Sequence, residues 1–259
     1  MSDPIAYSPN RFRALRYASD SVLIGIGSRE PQLVGPLGDD AIRTVLRAGP
    51  LTGAQWATAF RKLDPSSADA LRAAVRQVEP GELRAVDVTV DGHGPVADAA
   101  RQVITALGAR VVPDRCDVIV SIGAPGTLVA AVGRTQLVVE LGSDQVVVGP
   151  LLRETSGPCA NCLDVRRRQF DANWPHLATQ MQHLSLCDGA PSTAPELTHV
   201  AVGLIGLVVR GHANGRPLPP GIALRATTDD YSISHHLWPV HPLCGCRTAA
   251  GATVEAMVG

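Results

Sequence analysis

Val86-Asp-Val-Thr-Val-Asp-Gly-His-Gly-Pro-Val-Ala97, carried on through Leu107-Gly108 to Val112, is the stretch that decides the fold. Val86 to Val90 alternates as a strand does. Asp91 to Ala97 is a glycine-rich turn. Val96 to Leu107 reads as a helix, with Gly108 positioned to end it. Ala109 to Val112 is a second strand, so strand, helix and strand follow one another within some thirty residues. That is a βαβ unit, and it predicts a mostly parallel sheet. Asp117 to Ser121 and Gln136 to Glu140 extend the sheet, and Gln145 to Gly149 offers a further strand.

Working outward, the segment before Leu83 has a different pattern. Ser21 to Gly27 and Gln32 to Gly35 read as a hairpin, with Ser28-Arg-Glu-Pro31 as its turn. Asp40 to Arg47, the stretch after Thr52, and Ser67 to Val78 carry apolar residues at helical spacing. A hairpin with three short helices outlines a winged-helix-like module, and a plain α+β lobe fits the same pattern. The expected division is 1–82 and 83–259. Toward the end, Asp164 to Asp171 reads as a polar helix. Thr198 to His212 is an apolar helix whose burial on several sides calls for a dimer seam or a central crossover. Ile222 to His236 has strand character.

Composition narrows the function classes. The 259 residues are 45% hydrophobic but only 3% aromatic, and the formal charge is -1. Neither a basic field for nucleic acid nor a polybasic membrane anchor is present. Met1 to Asn10 does not read as a signal peptide, and the longest apolar run, Val200 to Val209, is about half a membrane-spanning helix. A cytoplasmic location is therefore expected. There cysteines stay reduced, and clustered ones more often hold metal than form disulfides.

The clusters are Cys159-Ala-Asn-Cys162 and Cys244-Gly-Cys246. Two thiolates three positions apart at a turn can face one tetrahedral ion, and Gly245 eases the tighter second bite. Four thiolates close the coordination sphere, which makes the predicted zinc structural. A redox pair and disulfides are the competing readings, and His241 is an alternative ligand to Cys246. Cys116 and Cys187 read as small buried hydrophobes.

Gly92-His-Gly-Pro-Val-Ala97 also fits the G-x-G-x-x-A phosphate turn, and Asp114 falls about where a ribose-binding carboxylate belongs. Gly92, Gly94 and Asp114 are thus the residues that would hold a nucleotide. Pro95 removes one amide donor, and a fold-forming turn explains the same glycines. His93 sits in this turn. His235 and His236 point to opposite faces of a strand. Arg166-Arg-Arg168 reads as a solvated basic face.

Val146-Val-Val-Gly-Pro-Leu151, Gly157-Pro-Cys-Ala-Asn-Cys-Leu-Asp164 and His241-Pro-Leu-Cys-Gly-Cys246, in that order, resemble the ThiF/MoeB superfamily. More narrowly, they look like its ThiF-like cyclodehydratase partners in peptide natural-product (RiPP) biosynthesis. The resemblance covers Leu83 to Cys246 and loosely the N-terminal module. It implies an α/β fold: a winged-helix-like peptide-binding module before a Rossmann-like ThiF-type domain with a four-cysteine zinc. It also implies capture of a leader peptide as an added strand, and a homodimer. ATP-using relatives carry an Asn, an Arg, a Lys and a further Asp between the second and third strands. Here only Pro113 to Cys116 lies in that gap. The expectation is a pseudoenzyme that binds a peptide or protein partner and has no use for ATP. The alternative is a ThiF-like adenylyltransferase that activates a carboxylate.

Overall fold

The computed structural model describes residues 13–28, 30–49, 51–78, 84–188 and 192–246. Met1 to Asn10, Arg29 in the predicted hairpin turn, and Gly189 to Pro191 lie outside them. The chain divides into two compact units, Met1–Glu82 and Leu83–Gly259.

The first unit opens with β1 (Ala14–Ala18), β2 (Ser21–Ile24) and β3 (Gln32–Val34), an antiparallel sheet in the order β1-β2-β3. The hairpin is as expected; β1 is an addition. Val22 and Val34 pair across it and turn inward, both buried. Leu15, Leu23 and Leu33 pair in a row across the opposite face. Three helices follow: α1 (Asp39–Ala48), α2 (Gly53–Ala59) and α3 (Pro65–Val78). Thr52 starts α2 with a full capping box, its side chain accepting from Gln55 N–H while Gln55 returns a bond to Thr52 N–H. Such a cap contributes about 1 kcal/mol. It aims Trp56 and Phe60 inward, stacked 5.3 Å apart and both buried, against Ile42, Val45 and Leu71.

The second unit is built on seven strands in the order β10-β9-β8-β7-β6-β4-β5. They are β4 (Asp87–Asp91), β5 (Arg110–Val111), β6 (Val118–Gly123), β7 (Thr135–Leu141), β8 (Gln145–Leu152), β9 (Ile222–Thr227) and β10 (Ile233–Leu237). β5, β4, β6 and β7 pair in parallel, as the βαβ reading requires. From β7 on, every pairing is antiparallel, so the sheet is mixed rather than mostly parallel. The reason is loop length. Gly142 to Asp144 alone join β7 to β8, and Gly142 N–H closes onto the Gln145 carbonyl at 2.9 Å. Three residues can close a hairpin but not carry a crossover.

α4 (Pro95–Ala106) and α7 (Pro195–Ala213) cover one face of the sheet. Their Val96, Ala100, Ile104, Ala201, Ile205 and Val208 pack on Val88, Val120, Leu137, Val139 and Val148. Gly206 lets the helices approach: a Cβ there would lie 2.9 Å from Val103 Cγ1. Central packing thus accounts for the apolar character of α7. The other face is covered around β7 and β8 by α5 (Ala160–Phe170) and the returning tail. α6 (Trp174–Asp188), which no periodicity announces, is exposed along most of its length.

The link from β5 to β6 crosses β4 in only six residues, 112–117. Thr89 Oγ1 donates to the Val112 carbonyl at 2.9 Å, and Asp117 Oδ2 accepts from Asp87 N–H at 2.8 Å. Arg115 takes a left-handed φ of 55° to make the turn. No helix fits in that length, so the sheet beside Thr89 and Ile119 carries an open cleft of about 610 Å³.

Candidate metal centre

Strand β8 delivers the chain to Gly157, whose φ of 83° turns it into α5. Cys159 caps that helix and Cys162 lies in its first turn, its amide bonded to the Cys159 carbonyl at 3.0 Å. The second pair arrives from the far end of the unit. His241 starts a 3-10 turn over Pro242–Cys244, its Nδ1 accepting from Leu243 N–H at 3.1 Å. Gly245 then takes a left-handed φ of 70°, which brings Cys246 back beside Cys244.

The four sulfurs lie within 4.8 Å of one another. Cys159 to Cys162 is 3.8 Å, Cys159 to Cys244 is 3.4 Å, and Cys162 to Cys246 is 3.5 Å. Thiolates around one tetrahedral zinc stand about 3.8 Å apart, given Zn–S bonds of about 2.3 Å. The spacing fits a metal and is far longer than the roughly 2.05 Å of a disulfide. Cys246 completes the set, while His241 is buried and its Nδ1 is committed to the turn. Outer donors already face the sulfurs: His241 N–H reaches Cys162 Sγ at 3.4 Å, and Asn161 Nδ2 reaches Cys244 Sγ at 3.1 Å.

The electrostatics point the same way. Burial opposes ionisation of Cys244, but hydrogen bonds from Cys159, Asn161 and Cys162 hold it at about 7. Burial and its crowded sulfur neighbours push Cys246 up to about 12. Burial pushes Cys159 up as well. Crowded thiolates repel one another, and a divalent cation bound among them relieves that repulsion.

The other predicted residues are dispersed. Gly92 has φ 148°, and a Cβ there would sit 2.7 Å from the Ile122 carbonyl oxygen, so close strand packing requires it. Gly94 caps α4 with φ 87° and Pro95 follows. Gly94 lines a cavity of about 220 Å³ with His93, Leu141, Thr193 and Thr198. Asp114 lines the open cleft with Asp91, Arg101 and Arg134, and the two cavities share no residue. His235 and His236 are exposed. Cys116 is half-buried beside Arg134 rather than buried, and the side chain of Cys187 lies outside the described residues.

One group within Arg166-Arg-Arg168 is not solvated. The Arg167 side chain is only 13% exposed and pairs with Glu140 of β7. Its guanidinium lies 5.0 Å from the ring centres of both Trp174 and Trp238. Burial pushes the Glu140 carboxyl up, and Arg167 pulls against that. A charged residue within the apolar run Leu137-Val-Val-Glu-Leu141 was the signal for such a partner. Arg101 is a second residue the pattern did not reveal. Its Nη2 donates to the carbonyls of Val90 at 3.0 Å and Gly92 at 2.8 Å, tying the glycine turn to α4.

No protein-family model matches the sequence, and no curated protein matches it. Solved structures do match. The heterocyclase TruD aligns with a TM-score of 0.57 at 14% identity, over 90% of this chain and 41% of that one. A heterocyclase in complex with substrate and cofactor aligns at 0.59 and 14%, over 91% and 38%. MccB of E. coli, solved with MccA, aligns at 0.51 and 12%, over 92% and 98%. At such identities the likeness establishes the fold. This chain spans about two fifths of the heterocyclase chains, at 41% and 38%. Among the described residues, no helix is long and apolar enough to cross a membrane.

Proposed function

We propose that this protein is a non-catalytic scaffold of the ThiF-like cyclodehydratase-partner type. It captures a peptide and presents it to another enzyme in peptide natural-product biosynthesis. Zinc, held by Cys159, Cys162, Cys244 and Cys246, stabilises the second unit, and the protein acts as a dimer. Support for the class comes from the fold shared with heterocyclases and with MccB, a protein solved together with MccA. The observation that carries the non-catalytic reading is the six-residue crossover at 112–117. Adenylation needs several convergent donors and a metal around a triphosphate, and this link itself supplies a single basic side chain, Arg115.

The capture surface belongs to the first unit. Leu15, Leu23 and Leu33 form a row across the outward face of its sheet, with Leu15 and Leu33 exposed and Tyr17 66% exposed. β1 and β3 are both edge strands. An apolar row beside an edge strand suits an extended peptide that adds as a strand. Selection of peptides from a displayed library on the intact protein tests this. Wild type is expected to enrich one peptide class, and Leu33→Glu to lose at least about tenfold in affinity for it, the effect of about 1.4 kcal/mol, with zinc content unchanged. Equal binding by Leu33→Glu and by Leu15→Glu would show the surface is misplaced.

A further inference from the structure

The last strand, β10, carries the pattern of a self-complementary edge. It is the outermost strand of the sheet, and all five of its residues are exposed. Its register against β9 fixes which backbone groups are spent. Ile233 pairs with Ala226, His235 with Leu224, and Leu237 with Ile222. Trp238 N–H donates to the Gly221 carbonyl at 2.7 Å, and Thr227 N–H to that of Ser232 at 3.2 Å. Antiparallel pairs alternate between bonded and non-bonded. Ser234, His236 and Trp238 therefore turn their N–H and C=O groups toward β9, as Ser232 turns its carbonyl, its N–H donating instead to Asp230 Oδ1 at 3.1 Å. Ile233, His235 and Leu237 turn theirs outward, away from the sheet.

The side chains follow the same parity. Leu224 and Ala226 belong to the face covered by α7, so their partners Ile233 and His235, with Leu237, stand on that face. Ile233 and Leu237 are each 61% exposed. Native edge strands are ordinarily blunted by a charge, a proline or a cover. Here no Asp, Glu, Lys or Arg occurs from Tyr231 to Cys246.

We propose that β10 pairs antiparallel with β10 of a second copy, about a twofold axis through His235. That register sets His235 against the partner copy's own residue 235, and Ile233 against the partner copy's residue 237, twice over. All three outward residues then fall in bonded pairs, which gives six new backbone hydrogen bonds, two for each pair. Two apolar contacts lie on one face of a sheet continuous across both copies. A second copy suits this edge because an isologous interface must be self-complementary. Ile-Ser-His-His-Leu read against itself places apolar on apolar at both ends and brings no Asp, Glu, Lys or Arg into the seam. Five paired residues a side bury less than the roughly 1,600 Å² of a standard interface, so the dimer is weak, in the micromolar range. This rests on the dimer of the proposed reading and is independent of peptide capture.

The test is sedimentation equilibrium of the full chain from about 1 to about 500 µM, the range in which a dissociation constant of that order is read. Wild type is expected to dimerise. Ile233→Lys is expected to weaken the dimer at least about tenfold, because a charge then faces an apolar partner. Leu237→Glu is expected to do the same, and the double variant Ile233→Lys/Leu237→Glu to recover it, since each new charge meets its opposite across the axis. His235→Pro, which removes an outward N–H and no bond to β9, is expected to be monomeric. Zinc content and thermal midpoint, unchanged in the charge variants, show that folding is intact. A wild type that stays monomeric while still binding its peptide would overturn this inference and leave capture standing. So would a dimer indifferent to these changes, or a double variant no better than its parents. A dimer broken instead by Leu207→Lys would assign the interface to α7.

Discussion

Glu140 and Arg167 form the one ion pair among the described residues with both partners largely withdrawn from water. Removing one member of such a pair leaves an uncompensated charge, at a cost of about 3–5 kcal/mol. Arg167→Ala is therefore expected to lose about that much by denaturant unfolding near neutral pH. The pH dependence has a definite sign. Burial raises the Glu140 pKa above its ordinary value, so the native state binds the proton more tightly than the unfolded chain. Stability from this group is regained as pH falls through the raised folded value. The deficit of Arg167→Ala should accordingly be smaller at about pH 5 than at neutral pH. A deficit that is flat with pH would mean Glu140 is not the group left behind. At this scale the sequence was legible where partners are local. Cys159 and Cys162 share one turn, and Cys244 and Cys246 flank one glycine, so spacing alone announced both pairs. Arg167 was read as one of three solvated arginines because its partner lies 27 residues away on another element.

A helix start and a tail turn meet through sulfur. α5 begins at Cys159, and the 3-10 turn Pro242–Cys244 is fastened beside it. The segment between β10 and that turn includes Trp238, which covers Arg167. A metal here would join two elements more than eighty residues apart, and in structural zinc sites metal binding is coupled to folding. Protein purified without chelator is expected to hold one zinc per chain. Stripping it should lower the thermal midpoint and change the tryptophan emission, as Trp238 loosens from Arg167. Cys246→Ser should bind zinc more weakly with the same secondary structure. Full retention of midpoint and emission in metal-free protein would make the cysteines bystanders. Elements were legible from sequence where one face is apolar: α3, α4 and α7 fall close to their predicted spans. β1 was missed because Leu15-Arg-Tyr17 is mostly exposed and does not alternate as a half-buried strand does. α6 was missed because exposed helices have no stripe to read. The antiparallel half of the sheet was missed because Gly142-Ser-Asp144 was not read as a hairpin turn, although its length excludes a crossover.

For the second unit as a whole, the question is whether its glycine turn takes a nucleotide. Several groups that a phosphate turn would use are otherwise engaged here. The glycine turn is stitched to α4 by Arg101, whose guanidinium is spent on the carbonyls of Val90 and Gly92 and on Asp98. The first position of α4 is Pro95, which has no amide to offer. Gly94 and Asp114, the pair that would span phosphate and ribose, line different cavities. The crossover that could bring further donors is six residues long and spends its bonds on β4. Calorimetric titration of the zinc-loaded protein with magnesium ATP is thus expected to give no saturable heat up to millimolar nucleotide. Binding in the micromolar range, weakened by Asp114→Ala or by Gly94→Val, would mean that the turn still cradles phosphate. The adenylyltransferase reading would then replace the scaffold, because a site that holds ATP through these residues has kept the first half of carboxylate activation.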